Sequence, residues 1–283
     1  MQVDLGVVGK SLGAVERSWT ERDSLLYALG VGAGSLDPAG FELEFTTENS
    51  IEVQQRVLPT FATIIGGGGS SREELSWVDP TQMVHGEQSV DLLDEIPPSG
   101  TVVTESTIAG IYDKGSGALV VLESRSNDAR TGTPLFSQRS ALFVRGAGGF
   151  GGDRGPGSPG PMPDREADQV VVYSTRPDQA LLYRLSGDRN PLHSDPVFAK
   201  RAGFDRPILH GLCTFGFTGR ALLHTLCGSD PARMRAISGR FSKPTYPGDT
   251  LTISMWVEGQ DVRFRTQNQR GETVIDSGTA TVA

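Results

Sequence analysis

The chain has 283 residues, 37% of them hydrophobic and 21% charged, which suffices for two domains of about 100–150 residues with their own cores. Its 26 basic and 34 acidic residues give a formal net charge of −8, so the basic footprint of a nucleic-acid-binding protein is missing. No apolar run approaches the ~20 residues of a membrane span, and residues 1–18 lack the features of a signal peptide. The two cysteines, Cys213 and Cys227, are too far apart for a Cys-x-x-Cys metal or redox pair. We therefore expect a cytoplasmic protein with no nucleic acid partner and no membrane span.

The first half of the chain is predicted to begin with a helix-prone stretch and a helix, and to continue in strands. Strand-like runs occur at residues 101–110, 119–124 and 137–144. Four consecutive glycines at 66–69 lack the Gly-Lys-Ser/Thr ending of a phosphate-binding loop. They indicate a flexible loop or a shortened helix.

A linker divides the chain. Residues 146–163 contain eight glycines and four prolines in 18 positions, a composition that sustains neither a helix nor strand pairing. We place the linker at 146–164, between an N-terminal domain at 1–145 and a C-terminal domain at 165–283.

The linker also contains a formal dinucleotide-binding pattern at Gly146, Gly148 and Gly151. That pattern requires a helix to start where it ends, because the helix N-terminus holds the pyrophosphate. Prolines follow here instead. The pattern is therefore interpreted as a chance match.

The second half is predicted to follow the same plan, with a long helix at 208–226 and strands at 251–258, 262–266 and 273–282. Pro207 and Gly228 are typical start and stop signals for the helix. Gly216 and Gly219 inside it each cost about 1 kcal/mol relative to Ala. Such glycines indicate that another backbone approaches the helix closely.

The two halves show a short internal sequence similarity, since residues 98–101 with Gly110 resemble residues 247–250 with Gly259. A repeat of this length indicates a duplicated domain. The simplest architecture is an α+β protein in which one long helix is wrapped by a curved antiparallel sheet, twice over.

The densest chemistry lies in the turn-rich segment 183–193. Asp188 and His193 are five residues apart around a proline-fixed turn, so a carboxylate and an imidazole can converge on one water and move its protons. On composition alone the simpler interpretation is favoured, in which Asp188 and Asn190 only shape turns and His193 caps the next helix.

The second feature is the start of the long helix at 207–212. Free N–H groups at a helix N-terminus stabilise negative charge, and Gly211 lets a ligand approach the backbone. Such a donor suits the oxygen of a thioester as it becomes enolate-like. An ordinary helix start, with His210 as a packed or capping residue, explains the same residues.

Together these segments resemble the signature of the hydratase 2 family, which is an aromatic residue followed by Ser-Gly-Asp-x-Asn-Pro-Leu-His. The matching residues are Tyr183, Ser186, Gly187, Asp188, Asn190, Pro191, Leu192 and His193. The likeness continues at 198–203, 207–212 and 243–249, and in the first half at 37–59 and 84–86. The chain is therefore identified as a member of the (R)-specific enoyl-CoA hydratases, also called MaoC-like dehydratases, of the double hot-dog type found in bacteria.

The resemblance implies an (R)-specific hydro-lyase that adds water to trans-2-enoyl-CoA. It implies that Asp188 and His193 are catalytic with support from Asn190, and that the N–H of Gly211 contacts the thioester oxygen. We also expect substrate contacts from His210, Arg189 and Lys243. The expected partner is an acyl-CoA thioester, whose coenzyme A is part of the substrate; no metal or other cofactor is expected, and a homodimer is the candidate assembly.

The first half lacks the Asn-Pro-x-His portion in residues 20–27, which we take as its corresponding stretch. A half without chemistry can still hold a long acyl chain, as the family implies, or it can simply complete the sheet. His85 and His224 have no acidic partner in a recognisable pattern and are interpreted as packing or surface residues.

Three alternatives remain open. The chain could dehydrate acyl carrier protein thioesters, bind acyl-CoA without catalysis as a subunit, or act as a hot-dog thioesterase. Residues 184–206 carry five basic and three acidic side chains, which would suit the phosphates of coenzyme A, although solvated surface charge explains each of them equally well.

Overall fold

The strands of the two halves form one antiparallel sheet. The structure is a computed structural model that describes residues 3–67, 75–79, 82–157 and 160–283. In chain order its strands are β1 (Ser11–Trp19), β2 (Met83–Leu92), β3 (Gly100–Asp113), β4 (Gly117–Asp128), β5 (Pro134–Arg145), β6 (Gln169–Ser174), β7 (Met234–Phe241), β8 (Thr250–Glu258), β9 (Asp261–Asn268) and β10 (Thr273–Val282). Their order in the sheet is β1-β3-β4-β5-β2-β7-β10-β9-β8-β6. Read from either edge inward the order is the same, as a duplicated domain predicts.

Six helices accompany the sheet in the described residues. They are α1 (Glu21–Gly30), α2 (Leu43–Thr46), α3 (Ala62–Ile65), α4 (Gln179–Tyr183), α5 (Pro196–Arg201) and α6 (Gly211–Leu226). Among the described residues, the long central helix that we expected in each half is found in the second half only. Its counterpart α3 has four residues and ends at Gly66, while Gly68 and Gly69 lie outside the described residues.

Helix α6 begins three residues later than its apolar pattern predicts. Residues 208–210 are held in extended form, because the N–H of Leu209 donates to the carbonyl of Thr245 at 2.7 Å. The carbonyl of Ile208 accepts from His193 at 2.9 Å. The stop after Leu226 is as predicted.

Six of the ten described strands are predicted from the sequence, and the edge strands β1 and β6 and the central strands β2 and β7 are not. β8 buries Leu251, Ile253 and Met255 on one face, and β10 has the predicted bounds. The helical starts predicted for the two halves are present as α1 and α4, but the edge strands β1 and β6 that precede them were not predicted. Each edge strand buries a single residue, so neither shows the alternation by which a strand is recognised.

The glycines of α6 allow side chains of the first half to pack closely against the helix. A Cβ on Gly219 would lie 2.5 Å from Cγ2 of Thr60, and one on Gly216 would collide with Val31. The close approach that these glycines predict is therefore present, but side chains of the first half make it rather than a backbone.

A buried ion pair also joins the halves. Arg220 of α6 donates to Glu42 of the first half at 2.6 Å, and His224 lies 2.7 Å from the same carboxylate. Burial by itself would raise the pKa of Glu42, but the hydrogen bond with His224 and the Arg220 guanidinium hold it at about 2. The expectation that His224 has no acidic partner is wrong, since the partner is 182 residues away in the chain.

The glycine pattern of the linker folds around a carboxylate of its own chain. Asp113, at the end of β3, accepts hydrogen bonds from the N–H groups of Gly149 at 2.9 Å and Gly151 at 2.8 Å. No helix opens at Gly151. In the part of the chain that the structure describes, no helix has the length and hydropathy needed to cross a bilayer.

Candidate active site

The segment that follows α4 is a loop shaped by local turn chemistry. A 3-10 turn at Arg184–Ser186 ends at Gly187, whose φ of +134° only glycine adopts readily. A second 3-10 turn at Pro191–His193 starts with proline, whose fixed φ suits the first position of a helical turn. The residues between the two turns are thereby held in one conformation.

Asp188 and Asn190 do form the turns that composition predicts. Asp188 Oδ1 accepts the N–H of Asn190 at 3.1 Å, and Asn190 Oδ1 accepts the N–H of Leu192 at 3.0 Å. His193 does not cap the next helix, because Asp195 occupies that position. The turns of the simpler interpretation are therefore present, its cap by His193 is wrong, and the catalytic roles of Asp188 and His193 stay predictions.

His193 is held in one tautomer. Its ring is 8% exposed, and Nδ1 lies 2.9 Å from the carbonyl oxygen of Ile208. A carbonyl only accepts, so Nδ1 carries the hydrogen and Nε2 of the neutral ring keeps its lone pair. Burial lowers the pKa of His193. At neutral pH the ring is therefore uncharged, with Nε2 ready to accept a proton.

His210 holds the loop in place. Its ring stacks on that of His193, with centroids 3.7 Å apart and 28° between the planes, and its Nε2 lies 3.2 Å from the carbonyl oxygen of Asp188. Burial, with His193 as neighbour, lowers the pKa of His210 to about 3. The side chain is buried and makes no cap hydrogen bond, so the packed interpretation holds and the capping one is wrong. The substrate contact expected of His210 stays a prediction.

Asp188, His193 and His210 form a cluster. One potential ligand atom from each lies within 4.8 Å of the other two. These are groups that can hold a metal ion, but an ion lies in the plane of each imidazole that binds it, and stacked rings run side by side rather than converge. The geometry suits a hydrogen-bonded water better than an ion.

Gly211 is the first residue of α6 and directly follows His210. In the described part of the chain, its N–H donates to no carbonyl or side chain, which is usual in the first turn of a helix. A Cβ at this position would lie 3.3 Å from the ring of Phe241. The N–H is therefore available to a ligand beside the cluster.

Comparison with known proteins identifies the family to which a chain with this site belongs. Residues 159–278 match the family model of the MaoC like domain, and residues 18–146 match the MFE-2 hydratase 2 N-terminal domain. The chain is 43% identical to 3-hydroxyacyl-thioester dehydratase Y of Mycobacterium tuberculosis, over 98% of each protein. The chain belongs to the MaoC-like hydratase 2 family. It is also 41% identical to the peroxisomal enoyl-CoA hydratase 2 of Arabidopsis thaliana, over 91% of this chain and 88% of that protein.

A solved structure of the MaoC-like hydratase 2 family has the same architecture. The MaoC-like dehydratase of Phytophthora capsici is 33% identical, with a TM-score of 0.86 over 99% of this chain and 98% of that one. The predicted double hot-dog fold is thereby confirmed.

Two residues expected to bind substrate lie on the surface of this hydratase 2 member. Arg189 is exposed next to Asp188, and Lys243 is exposed two residues after the end of β7. Their substrate contacts stay predictions.

His85 was missed as a neighbour of the site. It lies on β2 and lines a cavity of about 150 Å³ together with Leu212, the second residue of α6. Burial lowers the pKa of His85, and the hydrogen bond with the backbone of Glu87 and, less strongly, the charge of Asp188 oppose that change. Only its place in the first-half likeness at 84–86 pointed to it.

Proposed function

We propose that the protein catalyses the reversible (R)-specific hydration of trans-2-enoyl-CoA to (R)-3-hydroxyacyl-CoA. The observation that carries the proposal is the convergence of the Asp188 carboxylate and the His193 ring at the start of α6. Relatives of similar length are named as enoyl-CoA hydratase 2 and as a 3-hydroxyacyl-thioester dehydratase. Hydration and dehydration are two directions of one reaction.

In the proposed reaction one water lies between Asp188 and His193. The carboxylate accepts one of its hydrogen bonds, and His193 Nε2 accepts the other and then the proton. The water oxygen bonds to C3 as the electrons of the double bond move toward the thioester. His193 then returns the proton to C2 from the same face, so the atoms of one water are added and no group changes its oxidation state.

The thioester oxygen gains negative charge during this addition. We place it at the N–H of Gly211, where the dipole of the 16-residue helix α6 also favours negative charge. Asn190 and His210 act through the loop, since the first fixes its turn and the second holds the carbonyl of Asp188.

The acyl chain is assigned to the cavity in the first half. It lies beside α3 and the inner face of the sheet, and Leu212 connects it with the start of α6. The lining of the cavity is both polar and apolar, because it includes Gln88, Ser106 and Gln138 as well as three leucines. A cavity beside the described residues of α3 favours an acyl-binding role for the first half over a purely structural one.

The proposal includes no metal and no redox cofactor, because the addition of water requires neither. It also includes a cytoplasmic location and a homodimer, which cell fractionation and light scattering would test. The relative from Arabidopsis is named as peroxisomal.

The test is a panel of trans-2-enoyl-CoA substrates of increasing length, followed by the loss of enoyl absorbance, with the chirality of the product determined. We expect the (R)-3-hydroxy product. Formation of the (S) product, or release of free thiol without hydration, would contradict the assignment. A clear preference for the same acyl groups on carrier protein would replace coenzyme A by that thioester.

A further inference from the structure

The sheet gives the cavity beside α3 a polar wall. Ser106 of β3 pairs with Ser124 of β4, and Ser124 pairs with Gln138 of β5, so these three cavity-lining residues form one row across three strands. In the next row, Ser140 of β5 pairs with Gln88 of β2, and both also line the cavity. The inner face of a sheet is normally apolar, so buried polar residues at these positions require an explanation.

The matching positions of the second half are apolar. The internal sequence similarity places Met255 of β8 at the position of Ser106 in β3, and Met255 pairs with Phe264 of β9. In the next row, Ala280 of β10 pairs with Ile237 of β7. All four apolar side chains are buried in the main hydrophobic core. The fold itself therefore does not require polar residues at these positions.

Ser106 is the member of the polar wall whose hydrogen bonding is incomplete. The two glutamines are satisfied, since Nε2 of Gln88 donates to Oε1 of Gln138 at 3.1 Å. The hydroxyl of Ser140 donates to Oε1 of Gln88 at 2.8 Å. Ser106 is 4% exposed, and in the residues that the structure describes its hydroxyl has no hydrogen-bond partner. A buried hydroxyl without a partner destabilises the folded protein, and a ligand that supplies the partner removes this penalty.

The described residues that line the cavity carry no charge at neutral pH. Their one titratable side chain is that of His85, whose Nε2 donates to the carbonyl of Glu87 at 3.0 Å. Burial lowers the pKa of His85, so its ring is neutral. The cavity therefore suits an uncharged hydrogen-bonding group and disfavours a carboxylate, because a buried charge needs a counter-charge.

We propose that the cavity recognises an acyl group that carries a hydroxyl group, and that Ser106 binds this hydroxyl. The inference rests on the proposed function, in which the acyl chain enters the cavity past Leu212. A hydroxyl group both donates and accepts, as Ser106 does, so the two can pair in either direction. The substrate class is then hydroxylated enoyl thioesters rather than unsubstituted alkyl ones.

The test compares pairs of trans-2-enoyl-CoA substrates of equal length, one ending in a hydroxyl group and the other in a methyl group. The shortest pair is 6-hydroxyhex-2-enoyl-CoA and hept-2-enoyl-CoA, and longer pairs place the terminal group deeper in the cavity. At the length that reaches Ser106, we expect a higher wild-type kcat/KM for the hydroxyl member. In Ser106→Ala the ratio of the two kcat/KM values should fall about tenfold, the scale of one lost hydrogen bond.

Stability separates a binding role of Ser106 from a structural one. The urea unfolding midpoint of Ser106→Ala should not fall, because the change removes a buried hydroxyl that has no partner. Ser126→Ala is the matched control. Ser126 lies on the same face of β4 as Ser124, outside the cavity lining, and its hydroxyl is 2.7 Å from that of Thr104. This variant loses a buried serine hydroxyl too, but its substrate ratio should stay at the wild-type value.

A wild-type preference for the methyl member of every pair would overturn the inference and leave the hydratase function intact. So would a ratio that Ser106→Ala leaves unchanged, or one that falls equally in Ser126→Ala. Faster turnover of substrates that end in a carboxylate would contradict the uncharged site. If the wild type hydrates no member of the panel, the proposed function fails and the inference fails with it.

Discussion

The two halves of the molecule share one strand order and differ in the helix that the sheet encloses. The second half has the 16-residue α6, whereas α3 in the first half has four residues. The space beside α3 is a cavity of about 150 Å³. The difference shows how the two copies of a duplicated fold diverge, because the half with the shorter described helix has a cavity beside that helix.

The halves also differ in the loop that follows their first main helix. Tyr27 and Tyr183 are both fully buried, and their rings pack 6.1 Å apart, so they serve as reference points. Five residues after Tyr183 the second half has Asp188, and five residues after Tyr27 the first half has Gly32. A Cβ on Gly32 would collide with Phe217 of α6. The counterpart of the catalytic loop is therefore the segment after Tyr27, and our expectation that residues 20–27 correspond to it is wrong.

The largest expected effect is a loss of turnover that occurs when second-half residues are changed and not when a first-half residue is changed. Asp188→Asn and His193→Gln should each lower turnover by about 10²–10⁴-fold, because each removes a group that positions or deprotonates the water. Turnover and the circular dichroism melting curve should be measured together. Asp23→Asn is the first-half control, since Asp23 accepts hydrogen bonds from Thr20 at the start of α1 and forms an exposed pair with Arg22, away from the proposed site. Near-normal turnover in either second-half variant would refute the catalytic assignment.

The next effect concerns the ion pair that joins the halves. Glu42→Gln leaves the Arg220 guanidinium buried without a counter-charge, which should cost about 3–5 kcal/mol of unfolding free energy. Urea unfolding measures this, and Asp178→Asn, which breaks the exposed pair with Arg176, should leave the midpoint almost unchanged.

The same pair predicts a pH dependence. The folded pKa of Glu42 is about 2, below the ordinary carboxyl value of about 4.3. Its contribution is therefore complete above that ordinary value and is lost as the pH falls toward 2. Glu42→Gln should lack this part of the acid dependence, and an identical pH profile in variant and wild type would contradict the pairing.

The smallest expected effect tests the close contact between α6 and the first half. Gly219→Ala gains about 1 kcal/mol of helix propensity but forces a Cβ to 2.5 Å from Thr60 Cγ2, and such overpacking typically costs about 1–3 kcal/mol. We expect a net loss of about 1 kcal/mol. Thr60→Ser removes the obstructing methyl group, so the double variant should be more stable than Gly219→Ala alone. Strict additivity of the two changes in urea unfolding would show that the contact does not matter.

Sequence pattern predicted six of the ten described strands. Strands β3, β4 and β5 and their counterparts β8, β9 and β10 were all expected from strand-like runs, and residues 251–258 of β8 show the alternation of burial, whereas the central strands β2 and β7 were not expected. The edge strands β1 and β6 were not, since an edge strand that buries one residue has no pattern to recognise. The internal sequence similarity at the start of β3 and β8 correctly paired these equivalent strands. Its two glycines differ in position, because Gly110 lies at a bulge of β3 and Gly259 in the turn after β8.

The sequence by itself determined the loop that carries the proposed catalytic residues. Asp188, Asn190 and His193 lie within six residues whose conformation Gly187 and Pro191 fix locally, so turn chemistry alone brings them together. Only the tertiary structure decided the neighbours that arrive from a distance. His210 stacks on His193 from 17 residues further along, His85 comes from the other half, and Glu42 reaches Arg220 across 178 residues. No local rule encodes these contacts, because they depend on how the two halves pack and on where the strand ladder between β2 and β7 ends.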